Sequence, residues 1–377
     1  MIKKFKINNF KCFNNFEIEN LGKVNILLGT NNVGKSSFLE AIFGFACGKN
    51  LSPLIDHTIL RLTRNNDGNI YSLTEKILNT FNDKNKLEFC FEGLVSDKGQ
   101  IKYSYFIKPN SMIFGELNSN FSNNGSLIDD SMKYPSNVIN INGVNQIQKR
   151  PFFSLTLKKN NHKETERIIN FPIFIDGPTN EIPLISANII YANTFKDFNL
   201  ATKIYSLLKR NPSDFNLFIS ELNKAFKNNV ETFDMFPYPD GTPAPVSVKA
   251  KGKEFVPIYE FGDGMQKWFS MIGSQMIYKG YIHCIDEIGD MLHPEAQGLL
   301  GLNLSFMAEK YNNQIFATTQ SLEFVQNYLE KLSSEGSGML NDIRIITLKN
   351  VEGNIKARVI EGEKALDLLS NNNMELR

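Results

Sequence analysis

Eight residues near the N-terminus constrain this chain more than any other feature. Gly29-Thr30-Asn31-Asn32-Val33-Gly34-Lys35-Ser36 satisfies the GxxxxGK[ST] spacing. Its flanks fit as well: Val24-Asn25-Ile26-Leu27-Leu28 reads as a buried strand, and Ser36–Ala46 reads as an apolar-rich helix. A strand, a glycine-rich turn and a helix in that order make a phosphate-binding loop. Glycine lets backbone N–H groups close on phosphate oxygens, the lysine reaches the β and γ oxygens, and the Ser36 hydroxyl is placed to ligate Mg²⁺. Asn31, Asn32, Gly34, Lys35, Ser36 and Ser37 are therefore the candidate residues for holding ATP, with Lys35 also in the catalytic group.

A triphosphate site needs a carboxylate for its metal and a group that handles the attacking water. Tyr281-Ile282-His283-Cys284-Ile285-Asp286-Glu287 supplies an apolar strand ending in both. Asp286 is expected to share the Mg²⁺ shell with Ser36, and Glu287 to polarise water. An Asp-Glu at a strand end is by itself usually a solvated turn, and only the phosphate loop on the same sheet gives it this reading. His283, inside the strand, reads as a core histidine. Upstream, Gly262-Asp263-Gly264 precedes Met265-Gln266-Lys267 and places two flexible glycines at a helix start, where anions are attracted.

Composition narrows the alternatives. With 377 residues the chain has room for two domains and a sizeable core. Lys plus Arg number 41 against 40 Asp plus Glu, a net charge of +1, which argues against a constitutive nucleic-acid coater. The hydrophobic fraction of 42% argues against wholesale disorder. No apolar run approaches the ~20 residues of a membrane span, and the basic N-terminus lacks a signal-peptide block, so a cytoplasmic protein without a membrane partner is expected. The four cysteines show no CxxC spacing and read as free thiols.

Along the chain, Ile2–Asn8 and Phe16–Glu19 read as strands, and residues 87–95 and 101–108 as a hairpin around Asp97-Lys98-Gly99. Pro109 to about Asn145 is rich in Asn, Ser and Gly and reads as long loops. Asn211-Pro212 reads as a helix start with a stripe of Phe215, Phe218, Ile219, Leu222 and Phe226. The last third alternates strand (Tyr281–Ile285), helix (Pro294–Lys310), strand (Gln314–Thr319), helix (Leu322–Leu332) and two strands (Ile343–Leu348, Asn354–Ile360), the mark of a parallel sheet flanked by helices. Lys158–Lys163 is a basic stretch that reads as a solvated hairpin tip.

These motifs resemble a known family. Ile7-Asn8-Asn9-Phe10-Lys11-Cys12-Phe13, the loop Gly29–Ser37, Phe261–Gln266, Asp286-Glu287-Ile288, Leu292–Gln297 and Gln314–Ser321 look like the RecF/SMC/OLD branch of ABC-type ATPases, and more narrowly like the AAA15 group of OLD-like ATPases of bacterial defence systems. The resemblance covers about residues 1–50 and 250–330. It implies an α/β ABC-type ATPase head with an inserted α+β region: residues 1–50 and 251–377 form the head, and 51–250 a partner or sensor surface. It also implies a head-to-head homodimer or higher homo-oligomer, in which Gly262, Asp263 and Gly264 bind the nucleotide of the other subunit. The family's histidine that senses the γ-phosphate is replaced by Gln320, which can donate a hydrogen bond but carries no charge at pH 7, so slow hydrolysis is expected. His293-Pro294 fits a step near the dimer seam, although proline at a helix start explains Pro294 without it. The stretch after Gln320 is too short for the nuclease domain that several OLD-like proteins carry, so any damaging activity is expected in a co-encoded effector, a nuclease or toxin.

Three functions are compatible with these residues. One is an ATP-driven sensor or scaffold of an anti-phage defence system that controls an effector and responds to a phage protein. Another is a RecF-like ATPase that clamps DNA in an ATP-dependent way. The last is a scaffold that uses ATP only to hold an assembly together.

Overall fold

The structure, a computed structural model, describes residues 1–48, 53–54, 88–112, 139–141, 144–146, 150–160, 162–170, 183–191, 196–236, 245–290, 292–335 and 337–372. The N-terminal half contains β1 (Ile2–Phe10), β2 (Phe13–Ile18), β3 (Val24–Leu28), α1 (Lys35–Cys47), β4 (Glu88–Val95), β5 (Gly99–Met112), β6 (Ile139–Ile141), β7 (Val144–Gln146), β8 (Arg150–Lys159), β9 (His162–Asn170) and β10 (Ala187–Ile190). After these come α2 (Phe198–Lys209), α3 (Pro212–Phe226), β11 (Val230–Asp234), β12 (Ser247–Ala250), β13 (Phe255–Pro257) and α4 (Asp263–Ile277). The chain continues through β14 (Ile282–Ile285), α5 (Pro294–Lys310), β15 (Gln314–Thr318), α6 (Leu322–Glu335), β16 (Ile343–Val351), β17 (Asn354–Glu361) and α7 (Gly362–Asn372).

The continuous apolar runs form the central sheet, in the order β10-β14-β15-β3-β16-β17. Its first five strands are parallel and β17 closes one edge antiparallel. Every residue of β3, β14 and β15 is buried, as expected for parallel strands covered on both faces. Leu27, Ile282, Cys284 and Phe316 face one core, which holds α1. Ile26, Leu28, Ile285 and Ala317 face the other, which holds buried residues of α2 to α6. The alternating runs form a second, antiparallel sheet, β2-β1-β4-β5-β8-β9. Its rings cover the far side of α1: Phe5 lies 6.0 Å from Phe38 and 5.4 Å from Phe45, edge on.

The expected α/β layout is therefore present, with differences in its parts. Residues 51–250 contribute β4, β5, β8 and β9 to the antiparallel sheet and β10 to the central sheet. The β1–β2 hairpin alone would leave an open edge and an unfilled face, so neighbouring strands from this stretch complete the layer. Pro109–Met112 is not loop but the end of β5, paired from Pro109↔Phe153 to Met112↔Arg150. Among the described residues, Pro109 is paired with β8 alone, since the pairing with β4 ends at Phe106, and such a position tolerates the missing N–H. The short β6–β7 hairpin also falls in that stretch. Its remaining residues lie outside the described ones. The stripe of α3 behaves as core, with Asn211 accepting from the Asp214 N–H at the cap. Lys159 and His162 flank the turn of the β8–β9 hairpin.

His283 is 1% exposed in β14. Its Nε2 lies 3.1 Å from the Tyr278 carbonyl, which fixes the proton there, while Nδ1 has no hydrogen-bond partner. Burial lowers its pKa to about 4, so the ring is neutral in the fold and protonates more readily once unfolded. Its contribution to stability is therefore full above about pH 6.5 and is lost as the pH falls toward 4, by about 2 kcal/mol at pH 5. Denaturant titrations at pH 7 and pH 5 should show His283→Gln losing less stability on acidification than the wild type by about that amount.

Candidate nucleotide-binding and hydrolysis site

The loop between β3 and α1 turns on two positions that only glycine fills. Gly34 has φ 101°, and a Cβ there would meet the Cys12 Sγ at 2.5 Å and the Phe13 ring at 3.2 Å. A Cβ on Gly29 would meet Val33 at 2.7 Å and the Leu348 carbonyl at 2.9 Å. The β1–β2 turn thus lies directly on the loop. That turn is tied to α1 by an ion pair between Lys11 and the fully buried Glu40. Lys35 is buried and donates to the carbonyls of Gly29 at 2.8 Å and Thr30 at 2.9 Å, which folds its ammonium into the loop. Asn31 and Asn32 are exposed at the tip, Asn32 with φ 62°. Ser36 and Ser37 are half-buried in the first turn of α1.

The central sheet brings the second half of the site to this loop. Ser36 Oγ lies 3.1 and 3.0 Å from the two carboxylate oxygens of Asp286, which follows β14. Thr318, at the end of β15 and fully buried, donates to Asp286 Oδ1 at 2.5 Å and accepts from the Glu287 N–H at 2.9 Å. Glu287 has φ 54°, a left-handed conformation uncommon for a residue with a Cβ, and its carbonyl accepts from Lys267 Nζ. Burial, then the Asp286 and Asp290 carboxylates, push the Glu287 pKa up, against the opposing charges of Lys267 and Lys35. A carboxylate so placed is more basic than one in water, which suits a group that polarises water.

Two hydroxyl oxygens converging on one carboxylate form a hard, oxygen-only donor set that suits Mg²⁺ better than a softer metal. Ser36 and Asp286 would hold the ion, with phosphate oxygens completing its shell. Bound there, it would neutralise charge on the phosphates.

The remaining predicted residues lie at the start of α4, just after β15 and at the start of α5. Gly262 caps α4 and is exposed, and Asp263 in its first turn pairs with Lys196 at 2.8 Å. Gly264 follows in the same turn. Gln320 is exposed two residues beyond Thr318. His293 is the exposed N-cap residue of α5 and makes no side-chain cap. Together with Gly289, Asp290, Leu292, Gln297 and Ser321 it lines a cleft of about 350 Å³. Buried Gln297 shapes that cleft by donating to the carbonyls of Gly289 and Leu292 and accepting from Asn327. Thr318, Lys267 and Gln297 take part in the site although no sequence motif assigns them a role. Thr318 alone carried a signal, as a hydroxyl ending the strand beside the Asp286 strand.

Residues 24–326 match the family described as AAA domain, putative AbiEii toxin, Type IV TA system. The chain belongs to this family. It carries an AAA domain, with the phosphate loop after β3 and the carboxylates after β14. It is 27% identical over 391 residues to an ATP/GTP phosphatase of Helicobacter pylori, covering 96% of each protein. A 49-residue stretch is 45% identical to an uncharacterized protein of Methanocaldococcus jannaschii, covering 13% of this chain and 22% of that protein. Among solved structures it is similar to an SMC head bound to the C-winged helix domain of ScpA, with a TM-score of 0.49 and 14% identity over 97% of this chain and 99% of that one. It is also similar to the SMC head domain from Thermotoga maritima, with a TM-score of 0.45 and 10% identity over 96% and 99%.

Thr318→Val keeps shape but removes both of its hydrogen bonds and leaves the Glu287 N–H unpaired. We expect a loss of about 1–3 kcal/mol in denaturant unfolding. ATP turnover should fall at least tenfold, with the affinity for ATP, measured by calorimetry, changed less than threefold.

Proposed function

We propose that this chain is an ATP-binding and hydrolysing sensor or scaffold of an anti-phage defence system, of the OLD-like kind, acting in the cytoplasm. It dimerises head to head around ATP and controls a separate effector. The observation that carries the nucleotide part is the junction of Ser36 with Asp286, which joins phosphate loop and metal carboxylate at one point. ATP with Mg²⁺ is held by Asn31, Asn32, Gly34, Lys35, Ser36, Ser37 and Asp286. Glu287 orients water, and Gln320 stands where the γ-phosphate would be read.

Dimerisation rests on Gly262. Its φ of −57° and ψ of 149° suit any residue, and a Cβ there would meet none of the described residues within 4 Å. The fold of one subunit therefore does not demand glycine, whereas close approach of a second subunit's nucleotide to the exposed start of α4 would. The defence role is supported by the toxin named in the family description, and nucleotide hydrolysis by the name of the Helicobacter pylori relative. The effector, a nuclease or toxin, and the phage protein that triggers it would be separate chains.

Gly262→Val tests the dimer. Its melting temperature should stay within about 1 °C of wild type, while ATP-dependent dimerisation measured by light scattering and turnover both fall at least tenfold. Unchanged dimerisation would reject the head-to-head arrangement. Glu287→Gln should retain ATP and accumulate as the dimer. Purification of that variant with its gene neighbours, with and without ATP and Mg²⁺, should recover a protein partner whose release follows the nucleotide. Recovery of nucleic acid alone would favour a DNA-clamping ATPase instead.

A further inference from the structure

Lys267, the donor to the Glu287 carbonyl, is a charged side chain only 2% exposed. It lies in the second turn of α4 and its Nζ donates to the backbone carbonyl of Glu287. The remaining backbone polar group of Glu287, its N–H, is held by Thr318. One residue with left-handed φ is thus pinned from both sides, by a strand on one side and by α4 on the other. Such a conformation persists only where its surroundings determine it.

The body of α4 cannot slip past this contact. Trp268 and Phe269, the residues after Lys267, are fully buried, with Phe218 5.3 Å from Trp268 and 5.1 Å from Phe269, and Phe233 5.3 Å from Phe269. Gln266, the residue before it, donates to the carbonyls of Phe261 at 2.7 Å and Tyr259 at 3.3 Å, which fastens the segment entering the helix to its first turn. The exposed Gly262 end, the Lys267 amine and the Glu287 turn therefore form one mechanical unit.

We infer that Lys267 is a positioning residue that couples engagement of the Gly262–Gly264 end of α4 to the placement of Glu287. The inference rests on the reading that this helix end meets the nucleotide held by a second subunit. When the partner's phosphates settle on the helix start, the displacement passes along one and a half turns to the amine and from there to the carbonyl of Glu287. Hydrolysis in one subunit is in this way tied to occupancy of the other. A bare helix dipole would not achieve this, because only a hydrogen bond to the backbone of Glu287 sets the direction of its side chain.

The test uses the full-length chain with ATP and Mg²⁺ and compares Lys267→Met, which keeps bulk and loses the donor, with Lys267→Arg, which keeps it. We expect Met to lower kcat at least tenfold with KM for ATP within twofold, and dimerisation on a non-hydrolysable ATP analogue to be unchanged. Arg should retain kcat within about fivefold. In the Glu287→Gln background the Met substitution should add less than twofold, since a residue acting through Glu287 has nothing further to lose. Unchanged kcat in Lys267→Met, equal losses in Met and Arg, a multiplicative loss in the double variant, or a Met chain that no longer folds would each overturn the inference. Failure of the dimer reading itself would show separately, as Gly262→Val dimerising normally with Lys267 intact.

Discussion

The hydrogen bonds between Ser36 and Asp286 join the first and last thirds of the chain, and they exist because β15 lies between β3 and β14. Neighbouring strands are about 4.8 Å apart, so a loop leaving β3 and a carboxylate leaving β14 are separated by roughly two such spacings. Closing that gap takes a helix start that leans over the intervening strand and a side chain on that strand to hold the carboxylate. Ser36 supplies the first and Thr318 the second. Strand order thus dictates that the site has three contributors, and that the middle one is a short hydroxyl residue with room for neighbours on both sides.

Holding a helix start in place requires its body to be immobile. α1 is apolar around its circumference, which suits a helix covered on every side. The central sheet takes one face through Phe316, 6.2 Å from Phe38, and the antiparallel sheet takes the other through Phe5 and Phe91. The resembling motif Ile7–Phe13 gains a physical meaning from this packing. It is the end of β1 and the turn that follows, and it carries Lys11 to Glu40 and sets Cys12 and Phe13 against Gly34. A loop that must bind phosphate through its backbone is braced from behind by a hairpin.

The elements bearing chemistry were legible because each carries its own local signal. Val24–Leu28 is a strand to the residue, the helix expected from Pro294 to about Lys310 is present, and Asp286 and Glu287 sit at the strand end where the apolar run stops. What could not be read was the partnership of distant segments. Nothing in Ala187–Ile190 says that it pairs with β14, and nothing in Pro109–Met112 outweighs its loop-like composition until β8 is known to lie beside it. The same limit hid the supports of the site. Lys267 and Gln297 look like ordinary helix residues, and their roles arise from carbonyls that only the fold brings to them. A glutamate with positive φ also leaves no mark in sequence, because the geometry is imposed by Thr318 and Lys267 and not by the residue itself.

That imposed geometry leaves unfavourable groups within the site itself. Asn32 and Glu287 both have left-handed backbones, each costing about 1 kcal/mol, and Glu287 is pressed against two other carboxylates. Relaxing any of these would be easy in isolation, since a glycine at 287 would remove the backbone cost and a neutral residue at 290 would lessen the repulsion. The cost is tolerable because the surrounding core is apolar and because Lys267 and Lys35 set positive charge against the Glu287 carboxylate. A carboxylate held by its backbone from two sides and pushed toward higher pKa by burial and like charge is a sensible place for proton handling, and any displacement of α4 that reaches its carbonyl acts on that chemistry directly.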